Sequence, residues 1–291
     1  MRAPRVIYII SILVSLPGST LHPQSISRQA QYALDHAMRG TDAVAVVLDS
    51  KTGRLIAEVR QNYSVKSTPG SVLKPLFLMQ ALQRGLVFPE TTARCNRTLR
   101  IAGRNLECTH PQSEVVFDAE QALAYSCNSY FADLARRFTP EDALTAVKSL
   151  GLPESSIVRA PTNLEQMQLF VLGLEGISIT PMQLAVAYRE LANELTSLPP
   201  DSPMQAVARG LDDSVAYGMA HNAYVDGLPI AGKTGTASDP GRPWTHGWFA
   251  GFAPVRSPRV VVVVYLPRGN GADAARLAHN FFTEYKGALL R

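Results

Sequence analysis

Ser71 and Lys74 stand three residues apart in Pro69-Gly70-Ser71-Val72-Leu73-Lys74-Pro75-Leu76. A serine hydroxyl is a weak nucleophile until a base stands within hydrogen-bond reach. A lysine amine serves as that base when burial and neighbouring positive charge lower its pKa. The run from Val72 to Leu82 is apolar on nearly every side of a helix, which predicts a buried helix opening at Ser71 and ending near Gly85. On such a helix Lys74 neighbours Ser71, and the helix N-terminus aims N–H groups at developing negative charge. Pro75 demands that the helix begin close to Ser71 or be irregular there. Ser-x-x-Lys alone recurs by chance in many chains, so the reading depends on what accompanies it.

Two further groups accompany it. Ser126-Cys127-Asn128 follows a predicted helix over Asp118 to Tyr125, and Lys233-Thr234-Gly235-Thr236 approaches a predicted strand. A second Lys-Thr-Gly, Lys51 to Gly53, lies in turn chemistry ahead of Ser71 and reads as structural.

The elements that must position these groups follow from pattern. Residues 24–39 read as a helix, and Ala43 to Leu48 and Leu55 to Val59 as a hairpin. A long polar loop is expected over 86–117, then helices over 129–138, 140–150, 203–220 and from Thr180-Pro181 onward. Strands are expected up to Ala237, at Trp248 to Ala253 and at Arg259 to Leu266, before a closing helix from Ala272 to about Leu289. Strands from both chain ends around a helical block imply an α+β fold: an antiparallel five-stranded sheet flanked by helices, with a helical lobe.

The chain has 291 residues, 46% hydrophobic and 18% charged, with net charge +4. That length supports one large domain, expected over 25–291. Basic residues are scattered, so no nucleic-acid partner is expected. Arg2 and Arg5 precede an apolar run from Val6 to Leu16, so residues 1–21 read as a signal peptide or N-terminal membrane anchor. The domain is then expected outside the cytoplasm, periplasmic or extracytoplasmic, secreted or anchored to the inner membrane. Export permits disulfides, and Cys95 and Cys108 flank a hairpin-like segment that a bridge would close. No metal or cofactor is expected, because His22, His36, His110, His221, His246 and His279 lie far apart without a His-x-x-x-His pair.

Ser-x-x-Lys, Ser-x-Asn and Lys-Thr-Gly in this order resemble the motifs of the penicillin-binding protein transpeptidase domain, in the superfamily of serine β-lactamases and D,D-peptidases. Ser126 to Phe131, Gly176 to Ala185, Ala231 to Ala237 and Trp248 to Pro254 also resemble the class B, monofunctional type. The resemblance covers about residues 25–290, without that group's sizeable N-terminal pedestal. That leaves the cell-wall synthesis partner unspecified.

The resemblance implies a D,D-transpeptidase or carboxypeptidase acting on peptidoglycan stem peptides and acylated by β-lactams. It implies catalytic roles for Ser71 as nucleophile, Lys74 as base, Ser126 as proton relay and Lys233 as a positive neighbour. It implies substrate binding by Asn128, Thr234, Gly235 and Thr236, and an oxyanion hole of the Ser71 and Thr236 N–H groups. Such a donor is worth roughly 3 kcal/mol in other acyl-transfer enzymes. The alternatives are a serine β-lactamase and a non-catalytic β-lactam sensor. The region between the second and third motifs lacks the Glu-x-x-Leu-Asn of class A β-lactamases, and Asn128 stands where class D enzymes carry the valine of a Ser-x-Val second motif.

Overall fold

A computed structural model describes residues 27–60, 65–113 and 115–291. The signal-like segment 1–21 lies outside the described residues. Helix α1 (Arg28–Ala37) starts at Ser27, whose side chain accepts the Ala30 N–H. Strands β1 (Val44–Asp49) and β2 (Leu55–Val59) form the expected hairpin. Its turn holds the decoy Lys51-Thr52-Gly53, where the Thr52 N–H and hydroxyl both donate to Asp49.

The α2 helix (Lys74–Gln83) leads into the segment expected to be a loop. That segment instead carries four short strands: β3 (Ala93–Arg94), β4 (Thr98–Ile101), β5 (Arg104–Glu107) and β6 (Val116–Phe117). They pair as two separate ladders, β3 with β6 and β4 with β5. Strands of two to four residues leave too short a pattern to read from sequence.

The helical block comprises α3 (Ala119–Ala124), α4 (Asn128–Leu134), α5 (Pro140–Lys148), α6 (Leu164–Val171), α7 (Pro181–Ser197) and α8 (Gln205–Ala216). The sequence reading lacked α6, whose start is nonetheless marked by Asn163 accepting the Gln166 N–H. Strands β7 (Ala231–Ala237), β8 (His246–Ala253) and β9 (Val260–Leu266) and helix α9 (Gly271–Leu289) complete the chain.

The sheet is five-stranded and antiparallel in the order β2-β1-β9-β8-β7, so both chain ends build it as expected. The valines of β9 show why it reads as a continuous apolar run. Val260, Val262 and Val264 pack into a core with residues of α1 and α9, while Val261 and Val263 pack into the larger core with α2 and α7. A strand covered on both faces has no polar side to show.

The expected Cys95–Cys108 disulfide is not formed: Cys95, Cys108 and Cys127 are all free and buried. The two cysteines sit on different ladders, and their sulfurs stay unbonded although they lie within 4.8 Å of each other. The Cys95 N–H bonds to the Val115 carbonyl alongside β3 and β6, whereas the Cys108 N–H bonds to the Arg97 carbonyl and extends β4–β5. The two residues therefore do not face each other across one hairpin.

Candidate active site

Ser71 does not sit in an α-helix. Gly70–Leu73 is a 3-10 turn, and α2 begins only at Lys74. Pro75 is the reason. In an α-helix the Ser71 carbonyl would accept from the N–H of residue 75, which proline lacks. It accepts the Lys74 N–H instead. Side chains at i and i+3 eclipse in a 3-10 turn, so this irregularity aligns Lys74 with Ser71 better than an α-turn would. The turn is braced from α7 by Tyr188, whose buried hydroxyl donates to the Val72 carbonyl at 2.8 Å.

Ser126 follows α3 with φ +55°, a left-handed conformation unusual for serine that costs on the order of 1 kcal/mol. The bend delivers its carbonyl to Lys74. The Lys74 Nζ donates to Ser126 O at 2.7 Å and to Asn128 Oδ1 at 2.7 Å, and lies 3.2 Å from Ser126 Oγ. Asn128 is held in turn by its Nδ2, which donates to the Glu107 carbonyl at 3.0 Å.

Lys74 is fully buried, and burial pushes its amine down to about 8. Lys233 is also fully buried; burial first, then the charge of Lys74, hold it well below the ordinary lysine value. Two amines sharing one dry site resist being charged together. A neutral Lys74 amine has two N–H groups, which its two 2.7 Å bonds use, leaving its lone pair free to take a proton.

Strand β7 brings the third motif against the turn. A Cβ on Gly235 would stand 2.6 Å from the Pro69 carbonyl oxygen, so only glycine lets the strand approach this closely. Gly235 therefore serves the site sterically. Thr236 is exposed, and its Oγ1 accepts the Gly271 N–H at 2.9 Å, which leaves its hydroxyl proton for a ligand. Thr234 is buried with its hydroxyl 3.3 Å from the Met219 carbonyl, and must turn from it to donate to a ligand. The eight expected site residues thus converge where the turn, the α3–α4 junction and β7 meet.

A network that the sequence reading missed fixes the approach to Ser71. The Thr68 carbonyl accepts from His246 Nε2 at 2.7 Å and Trp248 Nε1 at 3.0 Å, both on β8. Asp239 accepts the Thr68 N–H at 2.9 Å and the Ser67 hydroxyl at 3.1 Å. Ser67 also pairs with Ile179 through two backbone bonds of 3.0 Å, which ties the Gly176 to Ala185 stretch to the segment ahead of Ser71. Partial burial raises the Asp239 carboxyl, but the Thr68 N–H and His246 outweigh it and hold the carboxyl below its ordinary range. No spacing rule links residues 67, 179, 239 and 246, so sequence carried no signal.

Asp239→Ala is expected to destabilise the fold by about 1–3 kcal/mol, because it leaves the buried Thr68 N–H without its acceptor. The wild-type contribution is full above the ordinary aspartate range and is lost as pH falls through the lowered folded value. Urea midpoints of the two proteins against pH check this: the gap should close in acid, and an undiminished gap there would contradict it.

A family model described as the penicillin binding protein transpeptidase domain matches residues 43–284. A curated relative, the probable peptidoglycan D,D-transpeptidase PenA of Neisseria flavescens, is 28% identical over 84% of this chain and 74% of its own length. The peptidoglycan D,D-transpeptidase FtsI of Escherichia coli is 24% identical over 85% of this chain and 51% of its own length, so the chain spans about half of that relative. The transpeptidase domain of penicillin-binding protein 3 from Burkholderia pseudomallei superposes with a TM-score of 0.79 at 23% identity, covering 94% of this chain and 98% of that one. At that identity the superposition establishes the fold, an α+β architecture with the sheet and helical lobe described above.

Proposed function

From the chain's membership of the penicillin-binding protein transpeptidase domain family, we propose that it is a serine D,D-transpeptidase acting on peptidoglycan stem peptides. One observation carries this reading. Lys74, a buried amine pushed down to about 8, is fixed by Ser126 O and Asn128 Oδ1 one 3-10 turn from Ser71. The PenA and FtsI relatives, both named peptidoglycan D,D-transpeptidases, support the substrate class.

In this mechanism the Ser71 Oγ attacks the carbonyl carbon of a D-Ala-D-Ala bond as its proton passes to Lys74. The oxyanion draws the Ser71 and Thr236 N–H groups, the terminal carboxylate draws the Thr234 and Thr236 hydroxyls, and Asn128 offers its amide to the substrate backbone. Collapse breaks the peptide bond, and the leaving amine takes the proton from Lys74 through Ser126. An amine or water then attacks the ester, giving a cross-link or a shortened peptide. The domain would act outside the cytoplasm, where peptidoglycan lies, a reading supported by the apolar run Val6 to Leu16.

The test is incubation with defined muropeptides, with products identified by mass spectrometry, beside decay of a penicilloyl adduct. Cross-linked dimers are expected, together with an adduct lasting minutes, far slower to clear than a typical enzyme turnover of about 10 per second. Shortened monomers alone would make it a carboxypeptidase. Adduct loss within seconds with steady nitrocefin turnover would make it a β-lactamase. A stable adduct without any peptide product would make it a sensor.

A further inference from the structure

The segment between α2 and α3 is built from two minimal ladders, yet it delivers metal-binding side chains to one point. Cys95 follows β3, Cys108 and His110 follow β5, and Cys127 precedes α4. All are buried, at 5%, 8%, 2% and 0% exposure in that order. One donor atom from each, three sulfurs and a ring nitrogen, lies within 4.8 Å of the others. Sulfurs around a tetrahedral Zn²⁺ at about 2.3 Å stand about 3.8 Å apart, so a contraction of about 1 Å at most closes the site. We propose that Cys95, Cys108, His110 and Cys127 bind one Zn²⁺ ion in a closed, structural three-cysteine, one-histidine site beside the Ser126-Cys127-Asn128 motif.

The surroundings of the four donors suit that role. The Cys95 Sγ accepts the Arg97 N–H at 3.3 Å and faces the Ser129 hydroxyl at 3.6 Å. Such donors stabilise thiolates and orient metal ligands. The His110 Nε2 points to Cys95 Sγ at 3.2 Å, while its Nδ1 faces the Pro111 carbonyl at 3.0 Å and the Arg97 guanidinium at 2.9 Å. Metal binding needs a bare Nε2, so the ring proton then sits on Nδ1 and is donated to Pro111. Arg97 keeps its bonds to the Pro111 and His110 carbonyls. Four protein donors leave no open position, which marks a structural rather than a catalytic ion.

The site would also tie the small ladders to the acyl chemistry. Cys127 lies between Ser126 and Asn128, the two residues that hold Lys74. Glu107, which accepts from Asn128, adjoins Cys108. The expectation of no metal rested on histidine pairs. Here three donors are sulfur, and all four come from loops spread over 33 residues, from 95 to 127.

The test is a Co²⁺ titration of the full chain, purified reduced and metal-free. One equivalent should give thiolate-to-cobalt charge-transfer absorption and the intense visible bands of a tetrahedral ion, both bleached by one equivalent of Zn²⁺. His110→Ala and Cys108→Ser should weaken binding beyond the roughly 10–100-fold typical of a lost outer-shell contact. Should either variant fail to fold, the wild-type spectrum still decides. Absence of the sulfur charge-transfer band from the reduced wild-type protein overturns the proposal. So does a disulfide between any two of the three cysteines in the chain as isolated from its own compartment, read by mass spectrometry of a non-reduced digest.

Discussion

Ser71→Ala is expected to abolish covalent labelling by a fluorescent penicillin, a loss of about 10⁶-fold by analogy with other serine acyl-transfer enzymes stripped of their nucleophile. The reason is local. Ser71 occupies a half-buried position in a turn fixed by Pro75, by Tyr188 and by the bonds to Thr68 just ahead of it. None of these restraints uses the Ser71 hydroxyl, so alanine should preserve the turn and remove only the reacting atom. An unchanged thermal midpoint with lost labelling is the result to look for. Labelling that survives at the wild-type rate would place the nucleophile elsewhere and end the assignment.

Lys74→Ala should slow acylation by about 10²–10⁴-fold, the usual contribution of a general base. Lys74→Arg should be comparably slow, because a guanidinium keeps the charge but cannot give up its proton. The wild-type profile separates a base from a mere positive charge. With the Lys74 amine pushed down to about 8, the neutral form grows as pH rises, so acylation should climb toward pH 8 and then level. A rate that is flat with pH, or that falls as the amine deprotonates, would mean that Lys74 acts through its charge. Rates of penicilloyl-adduct formation by stopped-flow or intact-protein mass spectrometry supply the profile. The same measurement on Lys233→Ala tests whether the second buried amine, which the charge of Lys74 helps hold down, shifts the Lys74 profile in turn.

The sequence by itself determined which residues to expect at the candidate site. Ser-x-x-Lys, Ser-x-Asn and Lys-Thr-Gly are recognisable at Ser71, Lys74, Ser126, Asn128 and Lys233 because each is compact along the chain and all three occur together in the order of the family they resemble. It also determined the sheet. The hairpin of β1 and β2, the glycine-rich β8 and the valine run of β9 each carry their burial in a short stretch, and their origin at both chain ends dictates a sheet that closes the fold.

Tertiary structure alone decided what depends on residues far apart. The Ser71 turn follows from a local proline, but its bracing by Tyr188, Asp239, His246 and Trp248 crosses more than 100 residues, and hydrogen bonds of that reach leave no periodicity. The cysteines show the same limit more sharply. Their spacing suggested a bridge across one hairpin, whereas two separate ladders carry Cys95 and Cys108 to a common point with His110 and Cys127. Pairwise spacing along a chain describes one ladder at a time; only the packing of ladders against α3 and α4 fixes which side chains meet.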